Sequence, residues 1–331
     1  MPTRRPTALL RSHRGGTGRQ HRGAARLSGC RGRGHVAAGG GGEAVLEVRD
    51  LHVAVGDDRG APATALLHGV DLQVRAGERV AVIGASGSGK SLTAAAVRGD
   101  LAPGLRARGS VRVLGHEVLE VPGARREPGL RPAAVLQDPS AALHPLVAVG
   151  AQVAMPLRAR GTRRGEVRAA VLDLLASVGL EEPERVADGR PAELSGGQRQ
   201  RAALAVALAC ESPLLVADEP TTALDTVTQA AVLDVLARRT GRGGPALLLI
   251  THDLAVAAAL CSRVVVVAGG RVVEQGALVD VLAAPAHPVT RALVTAVRDA
   301  GAPLRERTPP PGGADGRQSA PGRPTTAGAP A

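Results

Sequence analysis

The chain has 331 residues, 44% of them apolar, enough for a real core in one large domain or two small ones. It contains no Phe, Tyr or Trp, so Leu, Val and Ala must fill the interior and no site can rest on an aromatic stack. The formal charge is +11, but residues 1–42 supply nine arginines and no Asp or Glu; the remainder is near +2, so the basicity belongs to the tail and is weak evidence for nucleic-acid binding by the folded part.

Other counts point the same way. Lys90 is the only lysine, Asn is absent and Ile occurs twice, as in a gene from very GC-rich DNA. Cys30, Cys210 and Cys261 form an odd, sparse set with no C-x-x-C, which predicts a reducing compartment and neither a disulfide framework nor a zinc site. No apolar run reaches the ~18–20 residues of a membrane-spanning helix, so membrane association is expected through a partner.

Residues 1–43, rich in Arg and Gly, read as a disordered extension. A nonspecific basic tail, a transit segment and a start codon placed too far upstream all fit. The misplaced start is the working expectation, and finding residues 2–20 in the native protein by peptide mapping would refute it. An ordered domain is expected over 44–300, and a second disordered tail over 301–331, where Pro, Gly, Ala and Thr dominate.

Val45–Val48, Leu51–Val55 and Val70–Val74 alternate like half-buried strands, with a loop over Gly56–Ala63. Arg79–Ile83 reads as a buried strand and Leu92–Val97 as a helix. Val111–Gly115 and Ala133–Leu136 are further short strands. From about 140 to 195 the pattern is mostly helical: Val167, Ala170, Val171, Leu174, Leu175 and Val178 share one face, and Gly179 is a helix stop. Leu214–Ala217, Ala246–Ile250 and Val264–Ala268 are continuous apolar strands separated by helices. They predict a parallel sheet covered on both faces, with the ligand at the strands' carboxyl ends.

The motifs sit at those ends. Gly84-Ala85-Ser86-Gly87-Ser88-Gly89-Lys90-Ser91, between strand and helix, fits G-x-x-x-x-G-K-[ST]. Its glycines let backbone N–H groups wrap phosphates, the helix N-terminus adds positive charge, Lys90 reaches the β and γ phosphates, and Ser91 can ligate Mg²⁺. Asp218, after four apolar residues, has the form of a second Mg²⁺ ligand, and Glu219 that of a general base. His252 could contact the γ-phosphate; Gln137 could contact Mg²⁺ or the attacking water. Ser195-Gly196-Gly197-Gln198 opens another helix and offers a second anion-binding terminus. Two phosphate-binding surfaces on one chain suggest a head-to-tail dimer, each ATP lying between the phosphate loop of one copy and the Ser-Gly-Gly of the other.

On these residues, residues 44–300 resemble the ATP-binding subunit of an ABC transporter. Leu194–Gln198 corresponds to that family's signature, Thr222-Ala223-Leu224-Asp225 to its D-loop, and Gln137 and His252 to its Q-loop and H-loop. The resemblance implies an α/β P-loop NTPase (RecA-like) fold with a mostly parallel core sheet, an N-terminal antiparallel β subdomain and an inserted α-helical subdomain at about 138–196. It implies Glu219, His252 and Lys90 as catalytic residues, Ser91, Asp218 and Gln137 around Mg²⁺, and Ser195–Gln198 with Asp225 on the partner's ATP. A finer resemblance is to peptide/opine/nickel importers. It rests on Gln137-Asp138-Pro139-Ser140, Leu143-His144-Pro145, Val273–Gly276 and Pro285–Leu293; Lys90–Thr93 and Cys210–Pro213 look more like the nickel-type member. Such machines comprise an extracytoplasmic binding protein, two permeases and two ATPases on the cytoplasmic side of the membrane, with no specific nucleic acid. The alternative is a soluble ABC-type ATPase acting on ribosomes or DNA, favoured only by the basic tail.

The sequence departs from the family's pattern in three places. Val55 stands where an aromatic residue usually stacks on adenine, which predicts weaker nucleotide binding and little ATP-over-GTP preference; tight, ATP-selective binding would refute this. Val289 replaces the Tyr usual after His-Pro, and no cysteine follows Cys261, so no iron–sulfur cluster is expected.

Overall fold

The computed structural model describes residues 43–56, 64–138, 142–222 and 224–299. The expected tails, most of the 56–63 loop, Pro139-Ser140 and Ala223 lie outside them.

Two sheets carry the fold. The first is antiparallel, with spatial order β2-β1-β4-β5 for β1 (Ala44–Val55), β2 (Thr64–Arg75), β4 (Leu105–Val113) and β5 (His116–Glu117). The second contains β3 (Arg79–Ile83), β6 (Ala133–Val135), β7 (Leu214–Asp218), β8 (Ala246–Thr251), β9 (Arg263–Ala268) and β10 (Arg271–Ala277) in the order β10-β9-β3-β8-β7-β6. Its strands run parallel except the edge strand β10.

Period-two alternation divides the central strands between two cores. Val80, Val82, Leu248 and Val265 pack toward the antiparallel sheet and α1 (Lys90–Arg98). Ala81, Ile83, Leu249 and Val266 face the helical side, with α2 (Val149–Ala159), α3 (Val167–Ser177), α4 (Pro183–Asp188) and α5 (Gly196–Ala209). Both faces are covered, which is why these strands read as unbroken apolar runs. Each buried Val or Leu contributes roughly 1.5–3 kcal/mol, so a core without aromatic rings is sufficient. Among the described residues no helix is long and apolar enough to cross a membrane.

Local chemistry accounts for the differences from expectation. Val45–Val48 and Leu51–Val55 form one strand, because a bulge at Asp50 (φ 47°) absorbs the break; the Asp50 N–H donates to Asp71 Oδ1 at 3.0 Å. β4 starts at Leu105 rather than Val111, since in its first half only half-buried Leu105 and Ala107 pack on the core, between exposed Arg106 and Arg108, too short an apolar pattern to read. β10, a half-exposed edge strand, carried no apolar run to betray it. Gly179 ends its helix as expected, with φ 76°. Two resemblance motifs acquire structural roles. Buried Gln152 holds the Leu143-His144-Pro145 segment, accepting from the His144 N–H (2.8 Å) and donating to the His144 (3.1 Å) and Val147 (2.7 Å) carbonyls. Glu274 accepts from the Ala286 and His287 N–H groups, both at 2.9 Å, and so fixes the start of the helix Pro288–Asp299.

Candidate functional site

The site is built on four parallel strand ends. β3 runs into Gly84, whose φ of 154° and surroundings exclude a side chain: a Cβ there would lie 2.1 Å from the Val267 carbonyl oxygen. Gly87 (φ 76°) and Gly89 (φ 108°) are left-handed, and a Cβ on Gly89 would meet Leu67 Cδ2 at 2.4 Å. The loop then enters α1, where the first N–H groups have no intrahelical acceptor. Lys90 is buried and its Nζ donates to the carbonyls of Gly84 (2.8 Å) and Ala85 (2.9 Å). Burial pushes its pKa down, against the opposing pull of Glu219 and Asp218.

β7 ends in Asp218, which is buried and accepts from Ser91 Oγ at 3.1 Å. Burial raises its pKa, with the Ser91 hydrogen bond and the Arg98 charge opposing; Arg98 Nη1 stands 3.7 Å from Oδ2. Glu219 takes a left-handed φ of 47°, and its N–H donates to the Ile250 carbonyl at 2.9 Å. One carboxylate oxygen meets His252 Nδ1 at 3.1 Å and the other accepts from Thr222 Oγ1 at 2.9 Å. Burial pushes its pKa up, but the His252 and Thr222 bonds and the neighbouring charges outweigh it, so Glu219 stays below the usual range and ionised at neutral pH. Ser86, Gly87, Gly89, Lys90, Ser91, Gln137 and Glu219 line an open groove of about 360 Å³, with Leu66 and Leu92 as its apolar wall.

The second motif lies elsewhere. Ser195 caps α5 in a reciprocal box: its Oγ accepts from the Gln198 N–H (3.2 Å), and Gln198 Oε1 accepts from the Ser195 N–H (3.0 Å). The N–H groups of Gly196 and Gly197 remain available at the helix start. Asp225 caps α6 (Thr226–Arg239), accepting from the N–H groups of Val227 (3.1 Å) and Thr228 (2.9 Å) and from Thr228 Oγ1 (2.7 Å). The two helix starts abut: a Cβ on Gly197 would meet Thr228 Cγ2 at 2.5 Å. Among the described residues none of Ser195, Gly196, Gly197, Gln198 or Asp225 lines the groove.

The predicted residues therefore fall into two groups. Gly84–Ser91, Gln137, Asp218, Glu219 and His252 converge, while Ser195–Gln198 and Asp225 form a separate surface. His252, expected at the γ-phosphate, is hydrogen-bonded to Glu219. Val55 is 46% exposed at the end of β1, and Leu66, which the sequence did not single out, joins Leu92 as an apolar residue in the groove. Arg98 and Gln200 went unnoticed, because their contacts cross between elements; Thr222, read only as the start of the D-loop, also holds Glu219 three residues away.

A family model described as ABC transporter matches residues 67–222. The chain is 41% identical, over 271 residues covering 80% of each protein, to "Probable peptide ABC transporter ATP-binding protein y4tR" of Sinorhizobium fredii. This chain belongs to the ABC transporter family. It is a transport ATPase with the P-loop NTPase fold. It is also 38% identical to the "Probable D,D-dipeptide transport ATP-binding protein DdpD" of Escherichia coli, over 78% of this chain and 80% of that one. With "Oligopeptide transport ATP-binding protein OppD" of Mycobacterium tuberculosis the identity is 42%, over 76% of this chain but 42% of that longer protein. Among solved structures, the ATP-binding cassette MJ0796, a dimer in a post-hydrolysis state bound to ADP and Pi, matches with TM-score 0.60 and 28% identity over 70% of this chain and 98% of that one. The ribosome- or DNA-directed alternative gains nothing from these relatives.

Proposed function

We propose that this ABC ATPase powers peptide uptake, as the ATP-hydrolysing subunit of an importer whose cassette spans 44–300. The observation that carries the chemistry is the convergence of the phosphate loop, Asp218, Glu219 and His252 on adjacent ends of one sheet. Gly84, Ala85, Ser86, Gly87, Ser88 and Gly89 wrap the β and γ phosphates with backbone N–H groups, and Lys90 exchanges its two loop carbonyls for phosphate oxygens. Ser91 Oγ and the Asp218 carboxylate, 3.1 Å apart, are hard oxygen donors suited to Mg²⁺, and with Gln137 they would hold it. Bound there, Mg²⁺ supplies charge neutralisation on the phosphate oxygens. Ionised Glu219 takes the proton of the attacking water. His252 and Thr222 each hold one of its oxygens and so fix its aim.

The signature surface supports an ATPase dimer. Ser195, Gly196, Gly197 and Gln198, flanked by Asp225, lie outside their own groove, and the Gly196 and Gly197 N–H groups are left to meet the γ-phosphate held by a second ATPase subunit, identical or not. The other partners are two permeases and an extracytoplasmic binding protein, with the ATPase peripheral on the cytoplasmic side of the membrane. Peptide cargo follows the names of the relatives; the nickel-type features at Lys90–Thr93 and Cys210–Pro213 make nickel the competing cargo.

The test pairs chemistry with cargo. Glu219→Gln is expected to cut hydrolysis by at least about 10²-fold, the scale of general-base catalysis, while ATP binding persists. Normal turnover would remove Glu219 from this role. In cells lacking the gene, dipeptide uptake is expected to fall and to be restored by the wild-type chain but not by Lys90→Ala. Loss of nickel uptake alone would replace peptide with nickel.

A further inference from the structure

The turn that carries Glu219 is strained, and a side chain from another element holds it. Glu219 has φ 47°, a conformation that a residue with a side chain keeps only where its surroundings over-determine it. Pro220 follows and has no N–H with which to anchor the turn. On the strand side the Glu219 N–H donates to Ile250 O at 2.9 Å, and further on the Thr222 N–H donates to Glu219 O at 3.2 Å. The remaining anchor is Gln200, on the helix that begins with the Ser195 cap. It is 2% exposed, and its Nε2 donates to the Pro220 carbonyl at 2.8 Å.

We propose that Gln200 is a positioning residue for hydrolysis: by holding the Pro220 carbonyl it keeps Glu219 in its left-handed turn, with the carboxylate between His252 and Thr222. The same bond makes the aim of Glu219 depend on where the helix starting at Ser195–Gly197 sits. A shift of that helix pulls on Pro220, the residue bonded to Glu219. The inference rests on Glu219 being the general base.

Gln200→Met tests it, because Met keeps roughly the volume and loses the donor. In the purified full-length chain kcat is expected to fall about tenfold, the loss of one buried hydrogen bond at the turn. The ATP KM and the directly measured ATP Kd should change less than about twofold, the split expected when only transition-state geometry is disturbed. In single-turnover assays on a Glu219→Gln background, Gln200→Met should add less than about a further twofold, since two residues acting as one unit are not additive. An unchanged kcat overturns the proposal. So does an equal fractional loss in both backgrounds, because Gln200 then acts without Glu219. If Glu219→Gln turns over normally, the general-base assignment has failed instead, and that result is read from the single variant. Should Gln200→Met not bind ATP, Gln200→Leu, which is uncharged, close in volume and lacks the donor, takes its place. Loss of ATP binding in both variants makes Gln200 a fold residue and also ends the proposal.

Discussion

At the scale of single residues, Lys90 shows a conflict between binding and stability. It is buried, and burial lowers its pKa, so the charged form is less favourable in the folded chain than in the unfolded one. The sign follows: the cost is absent above the unfolded pKa and grows as pH falls, reaching its full size below the folded one. The Gly84 and Ala85 carbonyls offset part of it. Lys90→Met should therefore leave the melting temperature of the nucleotide-free protein unchanged or raise it. It should also abolish the stabilisation by saturating ATP, which for the wild type is about 2.7 kcal/mol at a hundredfold excess over Kd, or roughly 5–10 °C. Differential scanning fluorimetry with and without ATP reads both. A large drop in the nucleotide-free melting temperature would mean that the two carbonyl bonds outweigh the burial.

Between elements, the critical packing is where two helices start against each other. Gly197 and Gly196 are adjacent and chemically identical, yet only Gly197 faces another helix. A Cβ on Gly197 would meet Thr228 Cγ2 at 2.5 Å, and Thr228 cannot turn aside without giving up its 2.7 Å bond to Asp225. A Cβ on Gly196 meets nothing within 4 Å. Gly197→Ala should cost about 1–3 kcal/mol through overpacking, whereas Gly196→Ala should be neutral or slightly stabilising, since Ala is the better helix former. If Gly196 meets a partner's phosphate, Gly196→Ala still lowers ATPase activity while melting normally; full activity would remove it from that surface. Much of this arrangement was legible beforehand because it rests on local pattern. The glycine spacing of 84–89, the apolar runs before Asp218 and His252, and the Ser195–Gln198 box all declare themselves within a few residues. What stayed hidden depends on long-range contact. Gln200 reaches Pro220 and Arg98 approaches Asp218 only after the chain has folded, and Leu105–Ser110 joins a sheet with only Leu105 and Ala107 to mark its inward face.

For the whole molecule, the question is how hydrolysis leaves the chain. No described helix is long and apolar enough to cross a membrane; in the importer proposed above, work on the cargo passes to the permeases through surface contact. The helical region between Gln137 and Ser195 is placed for this, joined to the groove at one end and to the signature helix at the other. Its α2 buries Val149, Val153 and Leu157 inward, while Met155 on the same helix is 64% exposed, and Leu146 just before it is 76% exposed. Exposed apolar side chains so near a segment that begins at the groove fit a seat for a permease. Replacing both by Glu should leave the isolated ATPase close to wild type, because exposed substitutions away from packing typically stay within about 0.5 kcal/mol. In the assembled importer each new carboxylate would be buried without a partner, a cost of several kcal/mol that should break the contact. Uptake is therefore expected to collapse while ATP hydrolysis by the purified chain persists. Retained uptake would place the permease contact elsewhere on the helical region, and loss of both activities would mean that Leu146 and Met155 support the fold rather than the coupling.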